Sequence, residues 1–289
     1  MRPYDLILYA LVIFGWSTSW YPLSLQVGVV APEVSLVWRF GAATLVMFAI
    51  TRLSGTRLTV PWREHLRLII LGMTLFSFNF AFFYYASLYA ASGLLAVLLS
   101  TVSLVNVLMV AMLNRAAPSA SQLAAALTGI IGLALIFWPE LEASDTATLA
   151  ILLCTAGMLL FSFGNMLSSA LQKAGIPVLT TTSWGMLYGT IGLLAVSLLR
   201  GHAMIIDPGL TYMGSLVWLI LISSLLTFNC YLSLIGRIGP GRAAYAAVVF
   251  PVFALLISAR YEDYEWSVLA LVGLVFVILG NVIMIRARD

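Results

Sequence analysis

The chain has 289 residues, 62% of them hydrophobic and 9% charged, with a net charge of +3 and a mean hydropathy of +1.07. Soluble domains carry about a quarter charged residues, so a water-soluble fold is excluded. Apolar runs of helical length along the whole chain instead indicate an all-α integral membrane protein, and short alternating segments of the kind a β-barrel needs are missing. Two histidines, His65 and His202, cannot build a metal site, so neither metal nor cofactor is expected.

At about 20 apolar residues per crossing, ten spans are predicted: 5–24, 33–51, 66–88, 91–113, 121–138, 147–172, 178–199, 212–235, 241–260 and 266–286. Polar, Gly and Pro punctuation separates them. The run from Leu6 lacks a small-residue cleavage site and reads as a retained helix. Cys154 and Cys230 fall inside apolar runs and read as buried thiols rather than a disulfide framework. With the N-terminus inside, eleven of the fourteen basic residues fall on the inner side and two, Arg200 and Arg260, outside; Arg39 lies within a span. That asymmetry predicts both termini in the cytoplasm. Short loops leave no soluble domain for nucleic acid, and the net charge reflects the inner arginines.

Polar and aromatic side chains interrupt the apolar runs in order. Helix 1 carries Trp16 and Trp20, and helix 2 the intramembrane cation Arg39. Helix 3 has Asn79 and Phe82, and helix 4 has Ser100 and Ser103. Helix 6 has Phe163 and Asn165, helix 7 Trp184 and Tyr188, helix 8 Asn229, and helix 9 Tyr245. Amides and hydroxyls in lipid either join helices, at about 0.6 kcal/mol per bond, or line a wet cavity. The rings either pack or form an apolar-lined pocket. Arg39 either meets a carboxylate in that cavity or snorkels to the surface. Gly239, Pro240 and Gly241 form a tight turn, and Pro251 should bend helix 9, as a gate hinge or as a static kink. Trp62, Trp138, Tyr4, Tyr212, Tyr261, Tyr264 and Trp266, at span ends, read as interfacial belts.

The second half repeats the first. Phe78-Asn79 matches Phe228-Asn229 at an offset of 150, as do Ala96 with Ala246 and Val102 with Val252. Phe14 and Gly28 match Phe161 and Gly175 at 147, and Gly129 matches Gly273 at 144. The expected halves are 1–138 and 139–289. Five helices each is an odd number, so the second half enters the membrane inverted. Inverted repeats with a midplane site between them are a signature of secondary transporters.

Four stretches carry a family resemblance: "FGWSTSW" at 14–20, "PEVSLVWRFGAATL" at 32–45, "YYASLYAASGLLAVLLS" at 84–100 and "GRAAYAAVVFPVFALL" at 241–256. The sequence resembles the drug/metabolite transporter superfamily in its EamA-type, ten-helix form, most closely the aromatic amino-acid exporter branch. The resemblance implies two inverted five-helix repeats around a central cavity, with metabolites moved out across the bacterial inner membrane by alternating access. Where the family often has a proline in helix 4, this chain has Thr101, and only Glu262 approximates the acid that often follows helix 9.

No acid falls at mid-membrane, whereas proton-coupled pumps usually relay through an intramembrane carboxylate or histidine. The sequence therefore reads as a facilitator for small metabolites, foremost amino acids with aromatic or apolar side chains. The alternative is broad drug or metabolite efflux by proton antiport. A small-molecule substrate and membrane lipid are the expected partners, a monomer the expected state, and no enzymatic cluster of acids and histidines is visible.

Overall fold

The computed structural model describes residues 3–113, 117, 119–143, 146–243 and 246–286. Tyr245 and the pair Asn114-Arg115 lie outside the described residues. Among those described, seven helices are long and apolar enough to cross a membrane, and three shorter apolar helices complete ten spans. This is a multi-pass membrane protein.

Helix 1 runs Pro3–Ser17 and resumes as Trp20–Ser24; helix 2 is Pro32–Leu53. Helix 3 runs Trp62–Leu75 and resumes as Phe78–Ala86, and helix 4 runs Ser92–Ser100 and resumes as Val102–Leu113. Helices 5, 6 and 7 are Ala120–Ala143, Ala147–Lys173 and Val178–Leu199. Helix 8 begins as Leu210–Trp218, widens into π-helical turns over Leu219–Thr227 and returns to α-helix over Phe228–Ile238. Helix 9 is the turn Pro240–Ala243 followed by Ala246–Tyr261, and helix 10 is Val268–Arg286.

Local chemistry sets these ends. Pro32 opens helix 2 where its missing N–H costs nothing, with Glu33 in the first turn facing the helix dipole and Arg52 in the last. Gly55 and Gly201, at φ +71° and +70°, end helices 2 and 7 in left-handed turns that favour glycine. One expected limit moves. The stretch 139–143 is helical, so the 138/139 boundary falls inside helix 5. Trp138 Nε1 donates to Glu142 Oε1 at 2.9 Å, an i, i+4 link that spans Pro139 and carries the helix past it.

The helices pack in pairs: 5 with 10, 2 with 7, 4 with 9, 3 with 6 and 1 with 8 and 9. Small residues set the closest approaches, as is usual in lipid. A Cβ on Gly189 of helix 7 would lie 2.8 Å from the carbonyl oxygen of Gly72 and 2.9 Å from that of Phe76 on helix 3. A Cβ on Gly132 would lie 2.6 Å from the carbonyl oxygen of Gly273 in the 5/10 pair.

The two Phe-Asn pairs share a structural position. Phe78 starts the second segment of helix 3 after its break, and Phe228 starts the last α-helical segment of helix 8 after its π stretch. Each pair marks a return to α-geometry after an irregular stretch. Two of the expected belt residues are instead buried: Tyr212 is bonded to Ser35, and Tyr264 packs against Trp266.

Candidate functional site

A narrow central cavity of about 30 Å³ lies where helices 1, 2, 3, 4, 6 and 8 converge. Half of its lining is aromatic: Trp16 and Trp20 from helix 1, Phe80 and Phe83 from helix 3, Phe161 from helix 6 and Phe228 from helix 8. Trp16 is the hub. Its ring lies 4.6 Å from that of Tyr231, 5.8 Å from Phe161 and 6.0 Å from Phe228, in the tilted and edge-on arrangements that ring quadrupoles favour.

The polar element of this pocket is Arg39, fully buried on helix 2. Its Nε donates to Ser224 Oγ at 2.9 Å, Nη2 to Ser223 Oγ at 2.9 Å and Nη1 to Tyr84 OH at 3.4 Å. The guanidinium also lies over Phe80 (4.5 Å to the centroid) and Phe40 (5.0 Å), geometry suited to cation–π attraction. These partners are all neutral. Among the described residues no carboxylate pairs with Arg39, so a full positive charge stands buried with only dipoles around it, a costly arrangement.

The π-helical turns explain how Ser223 and Ser224, adjacent in sequence, both reach one guanidinium. A wider turn changes the angular step per residue, and π segments are frequent at functional sites. The hydroxyl of Thr227 closes the stretch by donating to Ile222 O at 2.7 Å.

Polar layers bracket the cavity. Toward the face with loops 1–2, 3–4 and 7–8, Gln26 donates to Tyr212 O (2.9 Å) and Ser215 Oγ (2.7 Å) and accepts from Ser35. Beyond it, the buried carboxylate of Glu33 accepts from Tyr85 OH at 2.8 and 2.9 Å and pairs with Arg200. That carboxylate, and then Tyr85, raise the pKa of Arg200 and keep it protonated. Glu262 accepts from Ser24, the Ser92 amide and hydroxyl, and Ser258, tying helices 1, 4 and 9 together. Toward the face of the termini, Tyr231 underlies Trp16 and accepts from Asn165 Nδ2 at 3.1 Å. Asp5 pairs with Arg237 at 2.6 Å, and Tyr9 donates to the carbonyl of Arg242.

Of the residues singled out from sequence, Trp16, Trp20 and Arg39 meet at this cavity. The other described ones lie elsewhere. Asn79 is buried beside the helix 3 break with neither side-chain atom partnered. Phe82 and Phe163 turn away, Phe163 being 45% exposed, and their near neighbours Phe83 and Phe161 take the cavity. Ser100 bonds back to Val97 O at 2.6 Å, and Ser103 bonds to Asn281. Trp184 and Tyr188 surround His65: Tyr188 OH lies 2.7 Å from its Nδ1, and Trp184 donates to Leu58 O. Asn229 donates to Leu225 O at 2.7 Å and lines a side groove. Gly239, at φ +83°, ends helix 8, and Pro240 and Gly241 form the turn into helix 9, inside which Pro251 is buried.

On helix 3 the exchange has a local cause, whereas helix 6 is continuous over Ala147–Lys173 and packing alone turns Phe161 inward. A straight helix through 66–88 puts Asn79 and Phe82 on one face; the break at Phe76–Ser77 resets the phase and brings Phe80 and Phe83 inward. The one sequence signal pointing there is the doublet of buried charge and aromatics, Arg39-Phe40 opposite the Phe-rich run 76–83.

Comparison with known proteins agrees with this architecture. Residues 148–286 match the EamA-like transporter family. An uncharacterized transporter of Archaeoglobus fulgidus is 22% identical over 282 residues, covering 98% of this chain and 99% of that protein. A solved structure described only as "Crystal structure of protein" shares the fold with a TM-score of 0.75 at 18% identity, covering 100% of both chains.

Proposed function

We propose that this chain is a secondary transporter for small organic acids with an aromatic or apolar side chain, amino acids foremost. The reading rests on one observation, the buried Arg39 guanidinium that faces an aromatic cavity without a counter-charge. A substrate carboxylate supplies that charge, and guanidinium–carboxylate pairing is the strongest neutralisation available to it. The rings take the side chain as the cavity, about 30 Å³ in this structure, widens to admit it. A lipophilic cation would instead meet like charge in the same space.

The symmetric pairing of helices 2 with 7, 4 with 9 and 5 with 10 supports two inverted five-helix halves around the cavity. The transport cycle is alternating access, with the layers containing Glu33 and Tyr231 closing in turn. The basic asymmetry of the loops supports cytoplasmic termini, and the resemblance supports export across a bacterial inner membrane. With no acid lining the cavity among the described residues, the substrate runs down its own gradient without proton exchange.

Counterflow in proteoliposomes tests this. Labelled phenylalanine or tryptophan should accumulate against unlabelled amino acid inside, at equal rates with and without a pH gradient. No counterflow with any carboxylate-bearing substrate would reject the reading, and counterflow that requires a proton gradient would reject the uncoupled mechanism.

A further inference from the structure

A second feature lies back to back with the cavity. Between helices 1 and 9 a groove of about 660 Å³ opens sideways on the outer surface of the bundle. Ser17 and Thr18 sit on its wall, between the cavity residues Trp16 and Ser19. Their hydroxyls turn away into backbone bonds, to Phe250 O and Phe14 O. What remains facing out is apolar, with Phe14, Phe253 and Leu256 each about half exposed.

One end of this groove is charged. Arg260, exposed in the last turn of helix 9, lines it together with Tyr261. Its guanidinium lies 5.3 Å from the Tyr261 ring centroid, and Tyr261 is stacked on Tyr21 at 5.1 Å. Among the described residues, the ion pairs of the other arginines are Arg67–Glu64, Arg200–Glu33 and Arg237–Asp5, and none includes Arg260. Glu262, two residues on, is occupied by the hydroxyls of Ser24, Ser92 and Ser258. A cation in a last turn also suits the helix dipole, but that interaction needs no groove.

An apolar trough ending in an unpaired guanidinium at a helix terminus has the chemistry of an acyl chain joined to a phosphate. Guanidinium recognises phosphate through paired N–H donors. A net negative lipid has no ammonium of its own to compete for that phosphate. A second side groove, between helices 4, 5 and 6, has a volume of about 390 Å³ and, among the described residues, is lined by no ionised side chain. It therefore serves as an internal comparison, a chain site without a headgroup site.

We propose that the groove between helices 1 and 9 is a binding site for an anionic phospholipid, with one acyl chain along Phe14, Phe253 and Leu256 and the phosphate on Arg260. A lipid seated there braces the outer side of the break in helix 1, whose inner side carries the cavity tryptophans.

Native mass spectrometry of the full chain, titrated separately with phosphatidylglycerol and phosphatidylcholine, tests the site without reference to transport. The wild type should retain one phosphatidylglycerol at about tenfold lower concentration than phosphatidylcholine, the ratio expected for about 1.4 kcal/mol of headgroup recognition. R260Q should bind the two lipids equally, and R260K should keep part of the preference. L256W, which fills the trough, should weaken both lipids. Equal binding of the two lipids by the wild type, or an undiminished preference in R260Q, would overturn the proposal.

Discussion

Tyr84 and Tyr85, neighbours on the second segment of helix 3, hold two different charges: the Tyr84 hydroxyl lies 3.4 Å from Nη1 of Arg39, and the Tyr85 hydroxyl 2.8 Å from Oε1 of Glu33. One nine-residue segment, which begins at the break beside Ser77, therefore joins the cavity cation to the outer ion pair. In the proposed binding mode a substrate carboxylate on Arg39 would compete with Tyr84 for the guanidinium and so loosen the segment from Glu33. Tyr85→Phe should lower stability by about 1.5–3 kcal/mol, the worth of a hydrogen bond to a carboxylate. In a double-mutant cycle with Tyr84→Phe, the two changes should be non-additive. Strict additivity would mean that the segment does not link the two charges.

Arg39→Met and Arg39→Lys separate charge from packing. Replacing an uncompensated buried charge by an apolar side chain of similar length is often neutral or stabilising, so Arg39→Met should fold at least as well as the wild type and lose counterflow. Arg39→Lys keeps the charge but cannot serve Ser223 and Ser224 in the same fork geometry. Its KM should rise roughly 10–100-fold, matching about 1.5–3 kcal/mol for charged hydrogen bonds. A normal KM in Arg39→Met would place the carboxylate elsewhere.

The seam between helices 3 and 7 makes a steric prediction. Gly189→Ala puts a methyl group against two backbone carbonyls, at 2.8 and 2.9 Å, and neither can yield as a side chain would. The helices must separate, at a cost of about 1–3 kcal/mol. Gly214→Ala, where a Cβ meets nothing within 4 Å on helix 8, should instead raise stability by up to about 1 kcal/mol through helix propensity. Thermal unfolding in one detergent, measured side by side, checks both signs.

Asn79 is fully buried, with its amide nitrogen and oxygen both unpartnered. Asn79→Leu removes two unsatisfied polar atoms and should stabilise the fold by about 1–3 kcal/mol. Asn165→Leu, which takes a donor from the buried Tyr231 hydroxyl, should destabilise it. If Asn79→Leu destabilises as much as Asn165→Leu, then Asn79 has a hydrogen-bonding role at the break.

Much of this molecule is legible in its amino-acid sequence. Apolar runs of membrane-crossing length, separated by Gly and Pro, identify the spans because a continuous apolar segment in lipid must satisfy its own backbone, as a helix does. Arg39 stands out as the lone intramembrane cation, because a charge in lipid is too costly to occur without a reason. The matching Phe-Asn pairs point to the two places where helices 3 and 8 lose and regain α-geometry.

Which side chains meet in the cavity is decided by the tertiary structure alone. Face assignments from i, i+4 spacing hold only while the helix is regular, and helices 1, 3, 4 and 8 are not. A two-residue break exchanges Phe82 for Phe83, and a π stretch turns both Ser223 and Ser224 onto Arg39. Composition determines that these helices lie in lipid; packing against their neighbours determines which way their polar atoms turn, because in lipid the cost of a polar group is set by the partner it finds there.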